Sequence, residues 1–177
     1  MLRNRRGFTL VELMTSVGIM AFVTICGFAV LLSTMRSYDS ITVQAYSDSD
    51  AVVAMQKIVS DLREAKSYAI LSSGTRLQLT YPITTANGYY NRQVADPTNT
   101  IDYYLSDNTG SLTRTGTYLW RNPSKGGSRI VARNIQAVRY TIDTTRSVQI
   151  TVDARNTGSS GSKTTYLTER VVYLRNY

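Results

Sequence analysis

One carboxylate stands inside a membrane-length apolar run, and that placement constrains the chain more than any other feature. Residues 3–14 read RNRRGFTLVELM: Arg3, Arg5 and Arg6 precede the run, Glu12 stands four residues after Phe8, and no other charge occurs from Leu13 to Met35. As a helix, residues 8–32 would extend about 37 Å, enough to cross a hydrocarbon layer of ~30 Å. An unpaired carboxylate there costs on the order of 3 kcal/mol, so Glu12 is expected to have a partner. In a plain signal anchor these arginines would be expected to hold the N-terminus in the cytoplasm by the positive-inside rule.

A cleaved secretory signal fits poorly, because the apolar core is too long and LLSTMRSY after it offers no small-x-small cleavage site. Lipidation at Cys26 fits no better, since Ile25 rather than a small residue precedes it. At 177 residues the chain suits one domain plus an anchor, and its single cysteine leaves the fold to packing without an intrachain disulfide. Histidine is absent, which removes the commonest general base and the commonest transition-metal ligand. Asp96, Asp102, Asp107, Asp143, Asp153 and Glu169 are scattered without a catalytic motif, and DNTG lacks the alternating acidic ligands of a calcium loop. The expectation is a non-enzymatic protein with no metal and no cofactor.

Beyond the apolar run, Val52, Met55, Val59, Leu62, Ala65 and Ala69 recur at spacings of three and four, one stripe along a helix. Lys57, Asp61, Arg63, Glu64 and Lys66 make the other face, read as solvated. SDSD at residues 47–50 favours caps and turns, which leaves a break in the helix open there. SSGT at 72–75 supplies the stop, with Gly74 suited to a left-handed cap.

After Gly74 the period becomes two. RLQLTYPI, IDYYLS, SLTRT, TYLWR, AVRYTI, SVQITVDA and LTERVVYL are short runs rich in β-branched and aromatic residues, which predicts an antiparallel sheet. DNTG (107–110) and DTTR (143–146) read as turns, NTGSSGSK (156–163) as a longer flexible connection, and residues 84–100 as a surface loop. Val138, Tyr140 and Ile142 alternate with polar neighbours, as do Val148, Ile150 and Val152, so one face should meet the helix and the other water. The predicted fold is α+β: a long N-terminal helix, membrane-embedded over 8–32 and continuing over 33–73, packed on an antiparallel head of residues 74–177.

RRGFTLVELM resembles the processing motif of type IV prepilins and pseudopilins: a short basic leader ending in glycine, then phenylalanine, then a carboxylate at the fifth residue of the mature chain. The resemblance implies a leader of residues 1–7, cleavage by prepilin peptidase between Gly7 and Phe8, and N-methylation of Phe8. It also implies that Glu12 pairs with the N-terminal amine of a neighbouring subunit, neutralising two costly charges. The alternative for Glu12 is to snorkel to the cytoplasmic headgroups. Residues 17–32 lack the proline that many major pilins carry, and Gly18 and Gly27 are the local weak points. The order of the later strands, from IDYYL to VVYLRN, resembles minor pilins of the W type and the J-type pseudopilins of type II secretion. The implied partners are prepilin peptidase, other minor and major pilins or pseudopilins, and the inner membrane. The head would be periplasmic or extracellular, and cell-surface after assembly.

From residue 108 onward eleven basic residues stand against three acids. With Tyr118 and Trp120 nearby, a surface of Arg121, Lys125 and Arg129 suggests an alternative, a DNA-binding minor pilin of an uptake filament. The competing reading is a solvated face of a half-buried sheet.

Overall fold

The computed structural model describes residues 9–172, apart from 86, 145, 146 and 160. One helix, α1 (Leu10–Glu64), is followed by eight strands: β1 (Ser67–Leu71), β2 (Arg76–Thr84), β3 (Tyr90–Ser106), β4 (Tyr118–Pro123), β5 (Arg129–Ala132), β6 (Ile135–Thr144), β7 (Ser147–Gly158) and β8 (Gly161–Val172). The α+β expectation holds, with one revision: the strands form two antiparallel sheets, β1-β2-β3-β4-β5 and β6-β7-β8, rather than one. The second half of α1 packs against β7 and β8, with further contact to β5 and β2.

The helix does not break at residues 47–50. Ser47 is fully buried and donates its hydroxyl to the Ala154 carbonyl on β7 at 3.0 Å. Asp48 accepts from Thr165 on β8 at 2.5 Å, and Asp50 accepts from the Asn134 amide at 3.0 Å. Side chains that would disrupt an isolated helix are here bonded to the head, and these contacts outweigh their weak helix propensity.

The helix does stop earlier than the stripe suggests. Ala65 turns to extended backbone while its N–H still bonds the Asp61 carbonyl, and Lys66 N–H then joins the Thr80 carbonyl at 2.8 Å. Residues 67–71 alternate between exposed and half-buried as β1, so Ala69 lies on a strand and faces solvent. Gly74 has φ +92°, but it closes a 3₁₀ turn (Ser72–Gly74) between β1 and β2 instead of capping α1. The buried face is also rotated from the expected stripe. It runs through Val43, Ser47, Ala51, Ala54, Met55, Ile58, Val59, Asp61 and Leu62, while Val52 stays exposed.

The core lies between this face and the two sheets. Leu77 and Leu79 of β2, opposite Tyr103 and Ile101 of β3, meet Leu119 of β4. Val138 and Tyr140 of β6 pair with Val152 and Ile150 of β7. The alternation read from the β6–β7 hairpin holds except at Ile142, which is exposed.

Three loop assignments change. Residues 90–100 belong to β3, because Tyr90, Asn91, Ala95 and Thr100 find partners on β2 across a bulged register. Residues 111–115, read as a strand, lie in the irregular β3–β4 connection. The stretch 156–163 is mostly paired strand, its register running through Asn156↔Lys163 to Gly158↔Gly161. At Gly158 the hairpin presses against α1: a Cβ there would collide with Val43, so the close approach requires glycine. Ser159 adds a hydrogen bond to Asp39 at 2.8 Å. Part of the expected turn at 143–146 and the end of VVYLRN lie outside the described residues.

Candidate assembly site

The helix start is organised by the residues that the sequence made conspicuous. Thr9 is the N-cap, and its hydroxyl accepts from Glu12 N–H at 3.3 Å. In return the Glu12 carboxylate accepts from Thr9 N–H at 2.9 Å and from the Thr9 hydroxyl at 3.0 Å. This reciprocal capping box satisfies otherwise orphaned donors and places negative charge at the positive end of the helix dipole. Both bonds use Oε2, so Oε1 has no partner among the described residues. Gly7 and Phe8 lie outside the described residues, as do Arg3, Arg5 and Arg6.

From here α1 is long and apolar enough to cross a membrane, with a window of mean hydropathy 2.2 of which nothing is buried by the rest of the chain. Most of its hydroxyls bond back to the helix: Ser16 donates to the Glu12 carbonyl, Thr24 to Met20 and Thr34 to Val30. Such a surface can enter lipid, or pack on other helices, with few unmet hydroxyl donors. Exposed apolar side chains continue beyond this half at Tyr38, Ile41 and Tyr46.

A buried ionic cluster then fixes α1 to the head. Asp61, expected on a solvated face, is 3% exposed. Lys57 on the same helix reaches it at 2.6 Å, Arg121 of β4 at 2.6 Å, and the Tyr103 hydroxyl of β3 donates at 2.7 Å. The Tyr81 hydroxyl donates to the Asp61 carbonyl at 3.2 Å. Burial pushes the Asp61 carboxyl up, but the hydrogen bonds from Lys57, Arg121 and Tyr103 outweigh it and hold the group below its ordinary value. Burial, reinforced by the Asp61 charge, raises the Tyr103 hydroxyl well above the usual phenol range.

This cluster takes one residue out of the expected basic surface. Arg121 points inward to Asp61, where a buried carboxylate demands a cation. Lys125 pairs with Asp96 at 3.1 Å, and Arg129 is exposed one strand away, opposite Arg121 in register. The three therefore do not form one open patch. Sequence reasoning missed Asp61 as a structural residue, although its place between Ile58 and Ala65 put it on the edge of the apolar face.

No curated protein and no solved structure matches the chain. Residues 2–25 match the family model described as the prokaryotic N-terminal methylation motif. With the unburied apolar half-helix behind it, that motif supports a type IV pilin-like precursor held in a membrane by its N-terminal helix.

Proposed function

We propose that the chain is a minor pilin or pseudopilin subunit of the W or J type. Prepilin peptidase cuts it between Gly7 and Phe8 and methylates Phe8, and the mature subunit rests in the inner membrane with its head in the periplasm. From there it enters a type IV pilus or a type II secretion pseudopilus beside other minor and major subunits, helping to prime assembly or to form the tip. The observation that carries this reading is the union of the methylation motif with an apolar half-helix that its own chain leaves bare. The capping box adds a role for Glu12: one carboxylate oxygen holds the helix start while the other is left for the amine of a neighbouring subunit.

Mass spectrometry of membrane-extracted protein tests the processing step, and the expected chain begins at methylated Phe8. A start at Met1, or beyond residue 32, would sink the reading. Glu12→Ala tests the pairing: cleavage and insertion should persist, while co-purification with companion pilins and restoration of filaments fail. Wild-type levels of both would leave Glu12 with capping alone.

A further inference from the structure

A second built feature lies on the head, and none of its lining residues belongs to α1. A cleft of about 350 Å³ opens where the β1–β2 turn, the end of β3, the β3–β4 connection and the start of β6 meet. That volume is at the lower end of the range for small-molecule sites, roughly 300–1,000 Å³.

Both walls are held in place. On one side Ser72 and Ser73 adopt φ +51° and +55°, the left-handed region that L-residues enter at a cost, and Gly74 follows at +92°. Strain of this kind persists where surrounding structure imposes it and clusters at binding sites. On the other side the β3–β4 connection is braced four ways. The Trp120 indole donates to the Asp107 carbonyl at 2.8 Å, the Tyr104 hydroxyl to Gly110, the Ser106 hydroxyl to Ser111, and Arg114 reaches Asp107 at 3.1 Å. Gly110 lies against the Trp120 ring, where a Cβ would approach to 3.2 Å. A preorganised wall lowers the ordering cost of binding.

The lining chemistry selects a ligand class. Each arginine is ion-paired: Arg76 uses Nε and one Nη on Asp102, at 3.3 and 3.0 Å, and the exposed Arg114 uses Nη1 on Asp107. The remaining guanidinium N–H groups are donors whose charge is partly offset by a paired carboxylate, which weakens the pull of the cleft on an anion. Ser72, Thr115 and Gln136 contribute side chains with no hydrogen-bond partner among the described residues. The lining also includes Leu105 and the half-exposed Leu112, with Tyr104 nearly buried, so that apolar and polar groups share the cleft. We propose that this cleft binds a neutral saccharide, its hydroxyls meeting the donors and its C–H face lying on Leu112.

The full chain in a zwitterionic detergent provides the test, because glycosidic detergents would occupy the cleft. Trp120, the one tryptophan, supplies the fluorescence signal. Titrants are free glucose, galactose, mannose and N-acetylglucosamine, their methyl glycosides, and glucuronate and inorganic phosphate as charged comparators. Expected is saturable binding of at least one neutral sugar with Kd on the order of 1 mM, weakened about tenfold or more by Leu112→Asp and by Thr115→Val with Gln136→Ala, at unchanged melting temperature. Binding of methyl glycosides assigns the cleft to the end of a longer glycan, and binding of free sugars alone assigns it to a soluble one. No saturable response to any neutral sugar, tighter binding of glucuronate or phosphate, or indifference to both variants overturns the proposal.

Discussion

Residues 10–42 of α1 include no side chain buried by the rest of the chain, whereas residues 43–62 include nine. The two stretches belong to one continuous helix, yet different environments stabilise them. Over residues 13–32 the first is uncharged and largely apolar around its circumference, and it needs lipid or other helices to cover it. The second has one narrow buried face, with Ala51 and Ala54 letting the sheets approach and Asp61 bonded across to β3 and β4. A helix can thus be rigidly joined to its head at one end while its other end remains available for assembly.

The sharpest way to break this contrast is Asp61→Ala. It leaves Lys57 and Arg121 facing each other without their carboxylate, and breaking such a cluster costs about 3–5 kcal/mol. Thermal melting of the full chain in detergent should show the head destabilised by that order, while membrane insertion is unchanged. The same residue has a pH signature. Its carboxyl is held below its ordinary value in the folded state, so its contribution is present above the unfolded pKa and lost as pH falls through the lower folded one. Stability should therefore decline below about pH 4, and the decline should be shallower in Asp61→Ala.

Gly158→Ala is expected to act less strongly. The added methyl meets Val43 and the Asp39 carboxylate, and overpacking of this kind costs about 1–3 kcal/mol. Chemical denaturation should report that loss; a neutral outcome would mean that the β7–β8 hairpin is not seated on the helix. Phe22→Ala should have the smallest effect on the head, within about 0.5 kcal/mol by the same measurement, because the side chain is exposed. A larger shift would show that the bare half packs on the head after all.

The sequence alone determined what depends on local period and composition. It showed the membrane-length run, the odd carboxylate at Glu12 with its glycine and phenylalanine upstream, the change from helical to strand period, and the inward face of β6 and β7. Those signals need no distant partner, since a residue's polarity relative to its neighbours decides them. Only the tertiary structure decided the rest. Ser47, Asp48 and Asp50 stay helical because β7, β8 and Asn134 supply their hydrogen bonds. Residues 90–100 and much of 156–163 become strand because a neighbouring strand pairs with them. Asp61 and Arg121 stand sixty residues apart, and each alone reads as an ordinary surface charge. Their burial becomes tolerable only when the fold brings the two together, because an ion leaves water at acceptable cost only when its counterion leaves with it.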